Sequence, residues 1–190
     1  MTPAPLPVAG RLTIANVVAI GQFAEAFDIA AITAAAPDLC ITSRPNTSRL
    51  AFRLISLGAT CTLFHSGKLQ ITGARAPAEV APAIEAAREV LAAAGVPTLA
   101  APIRIVNIVA KYVIGRRVNL VKLSQAILTP EIEYEPEVFP ALVYRPAEGP
   151  PTALIFGTGS VILTGAPDRE ALEHGAAAVD RLVALDGWGA

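Results

Sequence analysis

Hydrophobic and polar positions along the chain predict one order of elements twice. β-Branched runs at Arg11–Ala19 and Ile103–Ala110 predict an opening strand in each copy. Helical spacing at Phe27–Ala35 and Val118–Leu128 predicts a short helix after each strand. Four strands and a long helix should follow in each copy: Leu39–Thr42, Leu50–Ser56, Thr60–His65, Lys68–Thr72 and Pro77–Ala94, then Glu131–Tyr134, Ala141–Tyr144, Thr152–Phe156, Ser160–Leu163 and Asp168–Leu185.

The residues themselves also repeat. Leu63–Ala74 nearly superimposes on Ile155–Ala166 at an offset of 92 residues, as between Phe64 and Phe156. Ile14–Ala19 matches Ile105–Ala110 at an offset of 91. A period of this length indicates a duplicated subdomain, since solenoid repeats are much shorter.

The element order predicts an α+β fold. Two tandem pseudo-symmetric repeats should form a ten-stranded, curved antiparallel sheet, a saddle with four helices on its convex face. The concave face should then remain open. We expect a disordered tail, a first repeat, a link, a second repeat and a final tail at residues 1–10, 11–96, 97–102, 103–186 and 187–190.

Alternation along the strands predicts what the open face carries. Every second side chain of a strand points to the same side, so Asn16 lies beside Val18 and Asn107 beside Val109. The same phase adds Thr62, Phe64, Gln70, Thr72, Leu154, Phe156, Ile162 and Thr164. This surface is apolar, with neutral hydrogen-bonding groups and no carboxylate. An exposed face of this kind requires a partner. The minor groove of A·T-rich DNA fits, because its edges offer only hydrogen-bond acceptors.

Composition narrows the alternatives. The net charge of −1 argues against a protein that binds DNA mainly by charge. Cys40 and Cys61 form no disulfide framework, and we expect two buried thiols. His65 and His174 lack neighbours at ligand spacing, so we expect neither metal nor cofactor. No catalytic constellation and no membrane-spanning run is evident, which predicts a non-enzymatic, soluble protein.

Two segments carry a family resemblance. Tyr134–Arg145 resembles the stirrup segment of TATA-box-binding proteins, and Ala153–Ala166 resembles the same family. With the duplication, the resemblance extends from Arg11 to about Leu185. The acidic pI of about 6.1 and the short N-terminal section look archaeal.

The resemblance implies a general transcription initiation factor. Such a protein would bind the minor groove of TATA-like promoter DNA and recruit transcription factor B and the RNA polymerase machinery. TATA-box-binding proteins themselves kink DNA by about 80°, a value that belongs to the family. The protein would act in the cytoplasm at the nucleoid if archaeal, and in the nucleus if eukaryotic. We also expect that the concave face allows a weak homodimer in the absence of DNA.

The resemblance also implies residue roles. Three phenylalanines match wedges that pry open base steps, namely Phe64, Phe139 and Phe156, while Thr47 stands at the fourth wedge position. The central contacts to the groove match Asn16, Asn107, Thr72, Thr164, Val18 and Val109, and alternation adds Leu154 and Ile162. Positive charges beside the phosphates match Arg53, Lys68, Arg75 and Arg145. Two stirrup acids that contact transcription factor B match Glu135 and Glu137.

Four positions depart from the family pattern. Besides Thr47, Ser160 and Pro167 replace usual lysines, and Gln70 replaces a usual valine. Each lost charge should weaken DNA binding and flatten its salt dependence. Two alternatives therefore stand beside the main interpretation. One is a diverged paralogue that acts mainly through protein partners, and the other is a helix-grip-like protein that binds a small apolar ligand.

Overall fold

The structure is a computed structural model that describes residues 11–36, 49–126 and 129–186. It confirms the α+β class, with four α-helices and antiparallel strand pairing. These residues contain nine strands where the sequence predicted ten, because the strand predicted at Leu39–Thr42 lies outside them. In this part of the chain, no helix is long and apolar enough to cross a membrane.

The chain divides into two compact units. The first unit comprises residues 16–106, and the second comprises residues 107–186 together with 11–15. Strand order is β2-β3-β4-β1 in the first repeat and β5-β9-β8-β7-β6 in the second. The elements are β1 Arg11–Gln22, α1 Ile29–Ala35, β2 Arg49–Leu54, β3 Ala59–Phe64, β4 Lys68–Ala74, α2 Val80–Ala93, β5 Ile103–Val113, α3 Leu120–Ala126, β6 Ile132–Glu133, β7 Ala141–Tyr144, β8 Thr152–Phe156, β9 Ser160–Ala166 and α4 Arg169–Val183.

Side-chain caps set where the short helices begin. The Asp28 carboxylate accepts from the Ala31 N–H at 2.9 Å, so α1 begins at Ile29 rather than at Phe27. The Asn119 side-chain oxygen likewise accepts from the Lys122 N–H at 3.0 Å at the start of α3. Both caps satisfy donors that the first helical turn leaves unpaired.

One side of the first unit's sheet forms its core. Every second strand residue is buried there, and α2 packs on that side through small residues. The strand members of this core include Leu50, Phe52, Leu54, Cys61, Leu63, Leu69 and Ile71. Burial raises the pKa of the Cys61 thiol to about 12, so this group stays neutral. The buried state predicted for Cys61 is confirmed, whereas Cys40 lies outside the described residues.

The second unit repeats this arrangement. Leu142, Ile155, Val161 and Leu163 are fully buried, and α4 packs on β8 and β9. The buried stripe of α4 is rich in alanine, which lets the helix approach the sheet closely. In both units, the side chains that alternate with the core therefore remain on the opposite side of the sheet.

Glycine turns join equivalent hairpins in the two units. Gly67 lies between β3 and β4 with φ +80°, and Gly159 lies between β8 and β9 with φ +85°. The Gly159 carbonyl accepts from the Ile114 N–H at 2.9 Å, which ties the turn to the end of β5. A Cβ at Gly159 would lie 1.9 Å from the Arg116 carbonyl oxygen. Glycine is thus required there by both the backbone conformation and the close approach.

Replacing Gly159 with alanine should test this close approach against a matched glycine. Gly115 has φ +88°, and a Cβ there would meet no atom within 4 Å. We expect Gly115→Ala to lower the free energy of unfolding by about 1–2 kcal/mol through left-handed strain alone. Gly159→Ala should lower the free energy of unfolding by about 1–3 kcal/mol more than Gly115→Ala does, because the backbone at Arg116 must move to admit the added Cβ. Chemical denaturation measures both, and equal losses would contradict the close contact.

Candidate nucleic-acid interface

The open face of the first unit is the sheet side opposite its core. Thr62 on β3 pairs directly with Gln70 on β4, and Gln70 pairs with Ile20 on β1. These side chains are only half buried, in contrast to their buried neighbours along each strand. The open face of this unit carries Asn16, Val18, Ile20, Arg53, Thr60, Thr62, Phe64, Lys68, Gln70 and Thr72.

The second unit has an equivalent open face with a more apolar centre. Leu154 on β8 pairs with Ile162 on β9, and Ile162 pairs with Lys111 on β5. Ile162 is 37% exposed, although it lies in the middle of a strand. This open face carries Asn107, Val109, Lys111, Val143, Thr152, Leu154, Phe156, Ile162 and Thr164. The sequence predicted open faces without a carboxylate, and in the second unit this is wrong, because the exposed Glu133 pairs with Val143 across β6 and β7 and so lies on the same side of the sheet.

Each open face has an asparagine held by a glycine N–H. The Asn16 Oδ1 accepts from the Gly73 N–H at 2.7 Å, and the Asn107 Oδ1 accepts from the Gly165 N–H at 2.8 Å. A backbone N–H can only donate, so the contacted side-chain atom must be the oxygen. The Nδ2 amino group of each asparagine has no acceptor within the described part of the chain. Each amide therefore presents donors.

β-Bulges place these glycine N–H groups. Strand pairing shifts by one residue between β1 and β4 and again between β5 and β9. The extra residue falls on β4 and β9, where Gly73 and Gly165 have φ values of +96° and +91°. A bulge leaves its extra residue out of the strand ladder, and the Asn oxygen satisfies the N–H that the bulge frees.

The predicted wedge residues lie on or beside the open faces. The rings of Phe139 and Phe156 meet edge to face with centroids 6.3 Å apart. Phe139 is 41% exposed, and Phe156 and Phe64 are half buried. Leu50 and Phe52, the large apolar residues that follow Thr47 most closely in the first repeat, are buried in the core, so neither is placed to act as a fourth wedge. Thr47, which occupies that position in sequence, lies outside the described residues.

The predicted phosphate-contacting cations differ in their surroundings. Arg53, Lys68 and Arg75 are exposed, and none of their side chains forms an ion pair within the described segments. The Arg145 guanidinium instead lies 2.9 Å from a carboxylate oxygen of Glu133. Both of these side chains are more than half exposed, so the pair is weak and can exchange with another anion.

Glu135 and Glu137 share a turn with Phe139. The Glu135 carbonyl accepts from the N–H groups of Val138 and Phe139, each at 2.9 Å. Both glutamates are exposed, and neither carboxylate forms an ion pair with a described residue. The two acids therefore stand beside the wedge ring, on the same short turn.

Sequence reasoning missed Ile20 and Lys111 on the open faces. The prediction ended the opening strands at Ala19 and Ala110, whereas β1 and β5 each continue for three more residues. The alternation Asn107, Val109, Lys111 could have revealed the longer strand. Lys111 thus adds a positive charge to a surface that was expected to be neutral at its centre.

Metal ligands do not cluster in the regions that the structure describes. No group of three His, Cys, Asp or Glu side chains comes together in residues 11–36, 49–126 and 129–186. A cavity beside α1 is lined by Phe27, Ile32 and Val96 among others, and it includes none of the open-face residues.

The fold and these faces define a duplicated α+β protein that presents a largely apolar sheet surface with amide donors and a few charged side chains. A sequence model of the family described as "Transcription factor TFIID (or TATA-binding protein, TBP)" matches residues 11–94 and 102–184. This chain belongs to the TATA-box-binding protein family, which confirms the resemblance seen in its sequence.

Comparisons of sequence and of structure both match this chain to TATA-box-binding proteins. The TATA-box-binding protein of Thermoplasma volcanium is 35% identical over 165 residues, covering 86% of this chain and 89% of the relative. That of Sulfolobus acidocaldarius is 33% identical over 189 residues, covering 98% and 94%. The solved structure of Methanococcus jannaschii TBP superimposes with a TM-score of 0.78 at 28% identity, covering 92% of this chain and 98% of that one.

Proposed function

We propose that this protein is a general transcription initiation factor that binds the minor groove of TATA-like promoter DNA through both open faces. The observation that carries the proposal is the pair of asparagine amides whose oxygens are occupied by glycine N–H groups. Family membership supports the same assignment.

The asparagine geometry complements A·T base pairs. In the minor groove, A·T pairs present only the acceptors adenine N3 and thymine O2. Asn16 and Asn107 present Nδ2 donors, because the hydrogen bond from glycine turns each side-chain oxygen toward the backbone. The hydroxyls of Thr72 and Thr164, half exposed on the same faces, add further donors. Amide donors fixed in orientation, together with hydroxyls that can rotate to donate, suit the acceptor-only edges of A·T pairs better than a groove that contains guanine amino groups.

Apolar contact explains how a protein of net charge −1 binds a polyanion. Val18, Val109, Leu154 and Ile162 would pack on sugars and bases and contribute about 25 cal/mol per Å² of apolar surface removed from water. Arg53, Lys68, Arg75 and, after exchange with Glu133, Arg145 would contact phosphates. Few such contacts imply a shallow dependence of affinity on salt concentration.

Ring insertion would bend the DNA. We propose that Phe139 and Phe156 enter a base step at one end of the site and that Phe64 enters at the other. Unstacking costs a few kcal/mol per step, and the bent duplex offsets it by contacting more protein surface. With one wedge position occupied by Thr47, the end that Phe64 serves should be kinked less.

The exposed acids would recruit the next factor. We propose that Glu135 and Glu137 contact transcription factor B beside the DNA, and that this complex brings in the RNA polymerase machinery. Both carboxylates lack an ion-pair partner in the described part of the chain, so a basic partner can reach them without first breaking a contact. The protein would act where the genome is, at the nucleoid of an archaeal cell.

Asparagine-to-aspartate substitutions should separate the donors from the fold. Asn107→Asp keeps the oxygen that Gly165 needs but replaces the donor group with a charged acceptor. We expect affinity for a TATA duplex to fall at least about fivefold, from the roughly 1–3 kcal/mol that one base-edge contact contributes. Asn119→Asp is the matched control, because it makes the same charge change at a helix cap where aspartate is equally effective. Equal affinity of the two variants in a gel-shift titration would refute the donor role.

Phenylalanine truncation should separate bending from binding. We expect Phe139→Ala and Phe156→Ala to reduce DNA bending strongly, as measured by energy transfer between dyes at the duplex ends. Val138→Ala is the control, since Val138 adjoins Phe139 on the same turn and is 79% exposed. Phe52→Ala should not change bending directly, but it would remove a core ring at a cost of about 3–5 kcal/mol. Equal bending by the Phe139 and Val138 variants would rule out insertion.

Removing the two acids should weaken only the complex with transcription factor B. The double variant Glu135→Gln, Glu137→Gln should bind a TATA duplex like the unaltered protein but lose at least about fivefold in forming the ternary complex. Glu148→Gln, at an exposed glutamate in another loop, serves as the control. A gel shift with purified transcription factor B measures both steps, and an unchanged ternary complex would contradict the assignment.

A further inference from the structure

We propose that Gln70 lets the first unit's open face accept a guanine–cytosine pair, whereas the equivalent position of the second unit excludes one. The inference rests on the proposed binding to the minor groove and adds a specificity that differs between the two repeats. It would give the protein a preferred orientation on DNA.

The two repeats differ at one matched cross-strand position. Gln70 lies between Thr62 on β3 and Ile20 on β1. Ile162 occupies the same place in the second unit, between Leu154 on β8 and Lys111 on β5. The first unit therefore has an amide beside a hydroxyl where the second has two aliphatic side chains.

Guanine differs from the other bases in the minor groove by one donor. Its N2 amino group adds a hydrogen-bond donor that A·T pairs lack. A protein face tolerates that group only if it offers an acceptor, because a buried donor without a partner costs free energy. Which acceptors each open face has left therefore decides whether guanine is admitted.

Free acceptors are present at this position only in the first repeat. The oxygens of Asn16 and Asn107 are turned toward glycine N–H groups in the same way in both repeats, so they do not distinguish the two faces. Lys111 has donors only, and Leu154 and Ile162 have neither donor nor acceptor. The Gln70 amide, in contrast, is not hydrogen-bonded by any residue that the structure describes, so its Oε1 can accept. The neighbouring Thr62 hydroxyl can accept as well.

A self-complementary duplex provides a direct test. On such a site the protein binds equally in two orientations, so a single added amino group can always be placed beneath the first unit. Two amino groups at symmetric positions force one of them beneath the second unit. We therefore expect two amino groups to reduce the free energy of binding by more than twice the amount that one amino group does.

The probe is 2,6-diaminopurine, which adds the amino group to an A·T pair without changing its major-groove edge. In a TATATATA duplex, each of the four symmetry-distinct adenine positions is substituted on one strand or on both, and affinity is measured by fluorescence anisotropy. At one of these positions, one substitution should weaken binding less than about threefold and the symmetric pair about tenfold or more.

Exchanging the two side chains provides reciprocal variants. Relative to its own affinity for the unmodified duplex, Gln70→Ile should be weakened about tenfold or more by the single substitution, as it is by the pair. Ile162→Gln should make even the symmetric pair cost less than about threefold. Each variant places in one repeat the residue that the other repeat already carries at that position.

The outcomes separate this inference from the proposed function. If neither the natural chain nor the variants bind the unmodified A/T duplex, the proposed function itself fails. If all bind it, but the single substitution costs the natural chain and Gln70→Ile equally at every position, the role of Gln70 is overturned. The role of Gln70 is established if the difference between the single and the paired substitution disappears in both variants. In Gln70→Ile the single substitution should weaken binding as much as the pair, and in Ile162→Gln the pair should weaken binding as little as the single substitution.

Discussion

The hydrogen bond from a bulge glycine N–H to an asparagine oxygen is the constraint on which the rest of the interface depends. It occurs at 2.7 Å in the first unit and 2.8 Å in the second. It satisfies the backbone group that the bulge leaves unpaired, and it fixes which end of each amide is presented. One contact thus serves the fold and, in the proposed function, the selectivity of the surface. Without it, an asparagine could turn its oxygen outward and accept from guanine.

The division of each sheet into a core side and an open side follows from period-two alternation. Core positions such as Phe52, Leu63 and Ile71 are fully buried, whereas their strand neighbours stay half exposed. Because the core side carries the stability, the open side is free to diverge between the repeats. Thr62 and Gln70 of the first repeat correspond in position to Leu154 and Ile162 of the second.

Much of the architecture could be predicted from the sequence. The 92-residue repeat predicted the element order, and alternation placed Asn16, Asn107 and Phe64 on the correct side. Strand ends were wrong by three residues at Ala19 and Ala110, since a glycine or lysine within a strand looks like a boundary. The bulges and the Arg145–Glu133 pair were not predictable, because register shifts and side-chain partners depend on tertiary contacts that no local pattern encodes.

The edge-to-face contact of Phe139 with Phe156 has a thermodynamic consequence. Phe156 belongs to β8, opposite Ala141, so the sheet holds one ring and that ring restrains the other. Immobilising a side chain on association costs about 0.5–1.5 kcal/mol in lost rotamer freedom. In the free protein, the contact with Phe156 already restricts the rotamers of the Phe139 ring. The second repeat is therefore pre-organised at this corner before any ligand arrives.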